Sequence, residues 1–165
     1  MFPVFMSTFA LSYSEVGFLM TVFFVVSGIG QASAGFVVDR LGARPVMFGS
    51  LLVLAAGCLV VSVAPSYVGL MLGAALLGLG NCAFHPVDFT ILNQKVSASR
   101  LGYAFSAHGL TGNLGWAIAP VFMVGLSTAF DWRTAYVGAA LMFMAIFVLL
   151  VWQRDFLQAE VSHPK

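Results

Sequence analysis

The segment GFVVDRLGAR, which runs from Gly35 to Arg44, is a short polar stretch between two long apolar ones. Charge is scarce elsewhere, because only 8% of the 165 residues are charged and 61% are hydrophobic. A soluble domain carries about 25% charged residues, so this composition cannot cover a surface that faces water. The chain is therefore predicted to be a membrane protein, with the polar segment as a loop at the membrane surface.

Five apolar runs are long enough to cross a bilayer as helices. The hydrocarbon core is about 30 Å thick, which requires about 20 apolar residues per helix. Closed β-barrels, the other structures that span membranes, would show short alternating segments rather than unbroken runs. The sequence predicts an all-α membrane protein with one N-terminal transmembrane helical domain over 1–165, whose spans are 16–37, 45–63, 68–92, 101–127 and 134–152.

Residues 1–10 are apolar but too short to cross the membrane. They lack the basic leader and the small-residue cleavage site of a signal peptide. We expect them to form the far end of a helix whose beginning is absent, which would make the chain incomplete at its start.

The basic residues are distributed unevenly between the two sides that alternating spans create. Arg133 falls on one side, and the other side holds Arg40, Arg44, Lys95, Arg100, Arg154 and Lys165. Because positively charged loops stay inside the cell, we expect 39–44, 93–100 and 154–165 to be cytoplasmic. The net charge of +1 and the lack of a basic run give no indication of a nucleic-acid partner.

The polar loop resembles the signature of the major facilitator superfamily, G-x-x-x-D-R-x-G-x-R between the second and third membrane helices. The matching residues are Gly35, Asp39, Arg40, Gly42 and Arg44. The resemblance implies the N-terminal half of a secondary transporter, a six-helix bundle lacking most of its first helix, in a bacterial inner membrane. Its partners would be a small-molecule substrate, the lipid bilayer and the missing C-terminal half, and no cofactor is implied.

In that family the loop holds the two halves together in the outward-open state and releases them when they rock. The resemblance therefore implies a gating role for Asp39, with Gly35 allowing close approach of the other half and Gly42 allowing a tight turn. The alternative for Arg40 and Arg44 is that they only anchor the loop on the cytoplasmic side.

Two later segments also resemble this family. Gly115 to Pro120 resembles the G-x-x-x-G-P motif of the fifth helix, with Ala119 replacing the second glycine, and residues 130–133 resemble the start of the sixth helix. Pro120 has no amide hydrogen and interrupts the helical hydrogen bonding. Small residues recur at packing intervals, which favours close contact between helices in lipid; they are Gly28, Ala32, Gly69, Gly73, Ala74, Gly78, Gly109, Gly112, Gly115 and Ala119.

One departure from the family concerns proton coupling. Many members carry an arginine four residues before a G-x-G in the fourth helix, whereas this chain has Ala74 before Gly78-Leu79-Gly80. Any proton coupling must then use other groups. Ionisable residues at membrane depth are costly and usually face a cavity or a partner.

The candidate groups at that depth are His85, Asp88, His108, Asn81 and Asn113. His85 and Asp88 are three residues apart, so they share a helix face, and Pro86 loosens the helix between them. We expect these groups to meet substrate or a proton. The alternative is that His85 and Asp88 bond each other or the nearby backbone and only fix helix packing.

Cys82, His85 and Asp88 could also suggest a metal site. Three ligands at successive i+3 positions spread over about a third of the helix circumference, which suits a single ion poorly, so no metal is predicted. No catalytic motif is present, and we expect a transporter rather than an enzyme. The competing hypothesis is a membrane-embedded partner or scaffold that transports nothing alone.

Overall fold

The computed structural model describes residues 1–154, and every regular element among them is a helix. A 3₁₀ turn covers Ala98–Arg100. The α-helices α1 to α7 are, in order, Phe2–Phe9, Tyr13–Leu41, Ala43–Ser62, Tyr67–Asn81, Phe84–Lys95, Leu101–Ala129 and Trp132–Trp152.

Five of the described helical segments are long and apolar enough to cross a membrane, with α4 and α5 together forming the third. This confirms the predicted all-α membrane fold with about five spans, preceded by the short α1. The predicted spans fall within these helices to within one residue. Apart from Arg154, the predicted cytoplasmic segment 154–165 lies outside the described residues.

The helix ends have local causes. Ser12 and Glu15 form a capping box at the start of α2, in which the Glu15 amide donates to Ser12 Oγ at 3.3 Å and the Ser12 amide donates to Glu15 Oε2 at 2.8 Å. Gly42 alone separates α2 from α3 and has a φ of 87°. Because L-residues rarely adopt this conformation, glycine permits the sharp turn between these two spans.

Helix α3 lies at the centre of the bundle and packs mainly against α4 and α7, while α2 packs against α4. Glycines allow these close approaches. A Cβ on Gly78 would lie 2.5 Å from the carbonyl oxygen of Phe23, and one on Gly80 would lie 2.7 Å from Leu54 Cγ. Gly73 likewise approaches Val61. The predicted packing role of small residues applies to Gly73 and Gly78, and Gly80 has the same role without having been predicted.

Helix α6 lies at the edge of the described bundle. None of its residues is buried, and its main helix contact is with α7. Open space surrounds the Cβ positions of Gly28, Gly109, Gly112 and Gly115. No neighbouring helix lies against these four glycines within the described residues, so their packing role stays a prediction.

Candidate functional site

The third span is broken near its middle. Helix α4 ends at Asn81, α5 begins at Phe84, and a turn at Cys82 and Ala83 joins them. Pro86 explains the break, because it has no amide hydrogen to donate to the carbonyl of Cys82. The regular pattern resumes where the Val87 amide donates to the Ala83 carbonyl at 3.0 Å.

At the break, Asn81 contacts α2. Its side-chain amide nitrogen donates to the hydroxyl of Ser27 at 2.9 Å, and Ser27 is buried. This hydrogen bond links two spans and gives Asn81 a packing contact that the sequence did not indicate. Asn81 also lines an open cavity of about 520 Å³, together with Gly112 and Gly115.

Asp88 pairs with His108 rather than with His85. Asp88 Oδ2 lies 3.7 Å from His108 Nε2, and this contact joins α5 to α6. The His85 ring instead lies against Phe89, with ring centroids 5.7 Å apart. Within the described residues the side-chain contact of Asp88 is thus with His108, and a direct bond between His85 and Asp88 is not formed. The choice between a transport role and a packing role for these residues stays a prediction.

A cavity of about 380 Å³ lies beside this Asp88–His108 contact, and we call it the α5–α6 cavity. Its lining brings together three of the predicted polar candidates with a group of aromatic residues and glycines. The lining residues are His85, Phe89, Phe105, His108, Gly109, Gly112, Asn113 and Trp116.

Sequence reasoning missed the aromatic residues of this cavity. Phe89 and Phe105 meet edge to face, with ring centroids 5.3 Å apart, and Phe89 also lies 6.4 Å from the His108 ring. Trp116 is 75% exposed. A signal was present, because residues 105, 108, 112 and 116 recur at intervals of three or four and so share one face of α6.

The loop residues occupy the end of α2 and the start of α3. Asp39 and Arg40 are exposed and form no ion pair within the described residues, while Arg44 is half-buried in the first turn of α3. Gly35 has open space beside it. The loop signature thus presents charged groups outward from the described bundle.

The start of α7 contains a second polar cluster. Asp131 accepts a hydrogen bond from the Thr134 amide at 2.7 Å, which lowers the pKa of the Asp131 carboxyl. Arg133 donates to the carbonyls of Ser62 and Ala64 at 2.7 and 3.0 Å. Its guanidinium carbon lies 4.3 Å from the centroid of the Trp132 ring. The sequence indicated a helix start here but not this link to α3.

The two cysteines do not form a disulfide. Cys58 and Cys82 are both free and buried. The thiol of Cys82 donates to the carbonyl of Leu79 at 2.9 Å, so it takes part in the local hydrogen bonding next to the helix break.

Three bacterial proteins with similar sequences carry names that describe different functions. A multidrug resistance protein B homolog of Mycobacterium tuberculosis is 30% identical over 78% of this chain and 24% of the relative. The membrane sensor protein UhpC of Salmonella typhimurium is 27% identical over 95% of this chain and 36% of the relative. A probable nitrate transporter of Staphylococcus carnosus is 24% identical over 99% of this chain and 40% of the relative.

The chain thus spans between about a quarter and two fifths of the length of these curated relatives. The sequence profile described as Major Facilitator Superfamily matches residues 1–163, nearly the whole chain. This match points to the same family as the signature at 35–44 and is consistent with the five apolar spans. The chain belongs to the major facilitator superfamily.

Proposed function

We propose that this chain is the N-terminal half of a secondary transporter that moves a small solute by alternating access, with the α5–α6 cavity on the solute pathway. The observation that carries the proposal is the Asp88–His108 pair beside that cavity. Ionisable side chains inside membrane spans are costly and commonly mark substrate or ion pathways. The relatives named for multidrug resistance and nitrate transport support the general class.

If the transport cycle moves protons, they pass through Asp88 and His108. His85 and Asn113 lie in the wall of the same cavity. The chain lacks the family's arginine at Ala74. The contact between Asp88 and His108 supplies a carboxylate and an imidazole that can exchange a proton across two helices. Protonation of either member changes the attraction between α5 and α6, which offers a physical link between proton binding and helix movement.

The missing half docks on the uncovered part of the bundle. Helix α6 has no buried residue, and open space lies beside Gly109, Gly112 and Gly115. In lipid, small residues permit the close backbone approach that holds helices together. The exposed Asp39 and Arg40 then meet the second half at the cytoplasmic face, where the signature loop acts as the gate. We place the whole transporter in the bacterial inner membrane.

The test uses the protein expressed from its complete reading frame and reconstituted in proteoliposomes with an imposed proton gradient. Ethidium and nitrate serve as probe solutes, and their movement is followed together with the collapse of the gradient. We expect at least one probe to move, and Asp88→Asn to abolish its accumulation while Thr111→Val leaves it unchanged. Thr111 is the matched control, because it lies on α6 and donates only to the backbone carbonyl of His108.

The competing hypothesis, a non-transporting membrane partner, draws support from the relative named as a membrane sensor. It predicts a folded protein that binds a probe but moves none. Movement of a probe that is unaffected by both Asp88→Asn and His108→Gln would contradict the proposed pathway through this cavity.

A further inference from the structure

We propose that the α5–α6 cavity selects organic cations with a bulky apolar body over anions of the same shape. This inference names a substrate class and rests on the transport function proposed above. It starts from the walls of the cavity. Phe89, Phe105 and Trp116 supply three aromatic rings, and the indole of Trp116 is largely uncovered. Aromatic faces attract cations, and tryptophan does so most strongly.

The charge near the cavity has the sign that suits a cation. Asp88 lies next to His108, which forms part of the cavity wall, and the Asp88 side chain is 22% exposed. No Lys or Arg of the described residues lines the cavity. Lys95, the last residue of α5, is about 10 Å from Asp88 along the helix at 1.5 Å per residue. Arg100, which precedes α6, is about 12 Å from His108 on the same measure.

An anion would meet an unfavourable site. It would have to approach the Asp88 carboxylate in a low-dielectric region, where like charges repel strongly. A protonated His108 has Asp88 as its partner at 3.7 Å, so their two charges offset each other. With His108 neutral, the Asp88 carboxylate keeps its negative charge, which repels an anion and attracts a cation. A cation instead gains from the carboxylate and from the rings together.

A polyhydroxylated neutral solute is also disfavoured. Apart from the two imidazoles, the side chains of the lining that can make hydrogen bonds are Asn113 and, as a donor alone, the indole N–H of Trp116. A sugar would leave many hydroxyl groups without partners, and each such buried group costs free energy. The volume of about 380 Å³ falls within the range of about 300–1,000 Å³ typical of small-molecule sites.

The experiment compares two probes of the same shape and opposite charge. Tetraphenylphosphonium and tetraphenylborate are titrated onto the protein in nanodiscs of zwitterionic phosphatidylcholine, and binding to empty nanodiscs is subtracted. We expect saturable binding of tetraphenylphosphonium and at least tenfold weaker binding of tetraphenylborate. Equal binding of both probes, or tighter binding of the borate, would overturn the inference.

The variants locate the site. Loss of the charge partner in Asp88→Asn should weaken tetraphenylphosphonium binding by about tenfold, which corresponds to about 1.4 kcal/mol, while Asp88→Glu should retain most of it. Trp116→Ala should also weaken binding, and Trp116→Phe should recover part of it. Trp152→Ala is the control for loss of an exposed tryptophan elsewhere. Binding unchanged in both Asp88→Asn and Trp116→Ala would overturn the inference, provided that each variant elutes as a single folded species.

The outcomes separate this inference from the proposed function. A protein that transports nitrate but does not bind tetraphenylphosphonium keeps the transport function and loses the cation preference. A protein that binds tetraphenylphosphonium at this cavity but moves no solute keeps the cation preference and loses the transport function.

Discussion

The guanidinium of Arg133 donates a hydrogen bond of 2.7 Å to the backbone carbonyl of Ser62. This contact joins the first turn of α7 to the last residue of α3. The last carbonyls of a helix have no partner within the helix, and a positive charge at that end also interacts favourably with the helix dipole. Arg133 therefore closes the end of the central helix of the bundle.

We expect Arg133→Ala to lower the free energy of unfolding by about 2 kcal/mol, because hydrogen bonds to charged groups contribute about 1.5–3 kcal/mol. Thermal unfolding of the purified protein in detergent measures the change. Arg133→Lys keeps the charge but loses the second hydrogen bond to Ala64, so its stability should be intermediate. Equal stability of all three proteins would show that the contact contributes nothing.

Asp131 at the start of the same helix should make the stability depend on pH. The hydrogen bond from the Thr134 amide lowers the pKa of the Asp131 carboxyl in the folded protein. The stabilisation is then complete above the unfolded pKa of about 3.9 and is lost as the pH falls through the lower, folded value. The difference in melting temperature between the unsubstituted protein and Asp131→Ala should be full at pH 7 and should shrink as the pH falls below about 4 towards the folded pKa. A difference that persists at low pH would indicate another cause.

Composition and length were sufficient to predict the five spans, because the bilayer requires about 20 apolar residues per helix and the five runs stand out from a chain with few charges. Partners across helices were harder to predict. The spacing of His85 and Asp88 suggested a local pair, but the structure places Asp88 beside His108. The spacing along one helix fixes a face, whereas the helix that meets this face depends on the packing of the whole bundle.

The membrane orientation stays a prediction, and paired cysteines can test it. Ser66 and Ser97 are both exposed and lie in different connections. After replacement of Cys58 and Cys82 by serine or alanine, a cysteine at Ser97 should react with a membrane-impermeant maleimide only in inverted vesicles. A cysteine at Ser66 should react only in right-side-out cells, because the positive loops stay inside. Labelling of both from the same side would refute the alternating five-span topology.

The signature loop allows a test that separates gating from folding. If Asp39 holds the two halves in one state, Asp39→Asn in the protein from its complete reading frame should lower the transport rate severalfold while membrane abundance stays near normal. Asp39 is exposed and forms no ion pair within the described residues, so little stability should be lost. Asp39→Glu is the charge-preserving control. A parallel loss of abundance and transport would assign Asp39 to folding instead.

Two glycines offer a matched test of which face awaits a partner. Gly78 faces the carbonyl of Phe23 at a distance that admits no side chain, whereas Gly115 has open space beside it. Gly78→Val should therefore force α2 and α4 apart and abolish folding, as judged by loss of the monodisperse peak in size-exclusion chromatography. Gly115→Val should leave the chain folded when it is expressed as these 165 residues.

In the protein from the complete reading frame, Gly115→Val should reduce transport, because the added methyl groups occupy the face of α6 that we assign to the second half. Normal transport by Gly115→Val would show that this face does not pack against the rest of the transporter.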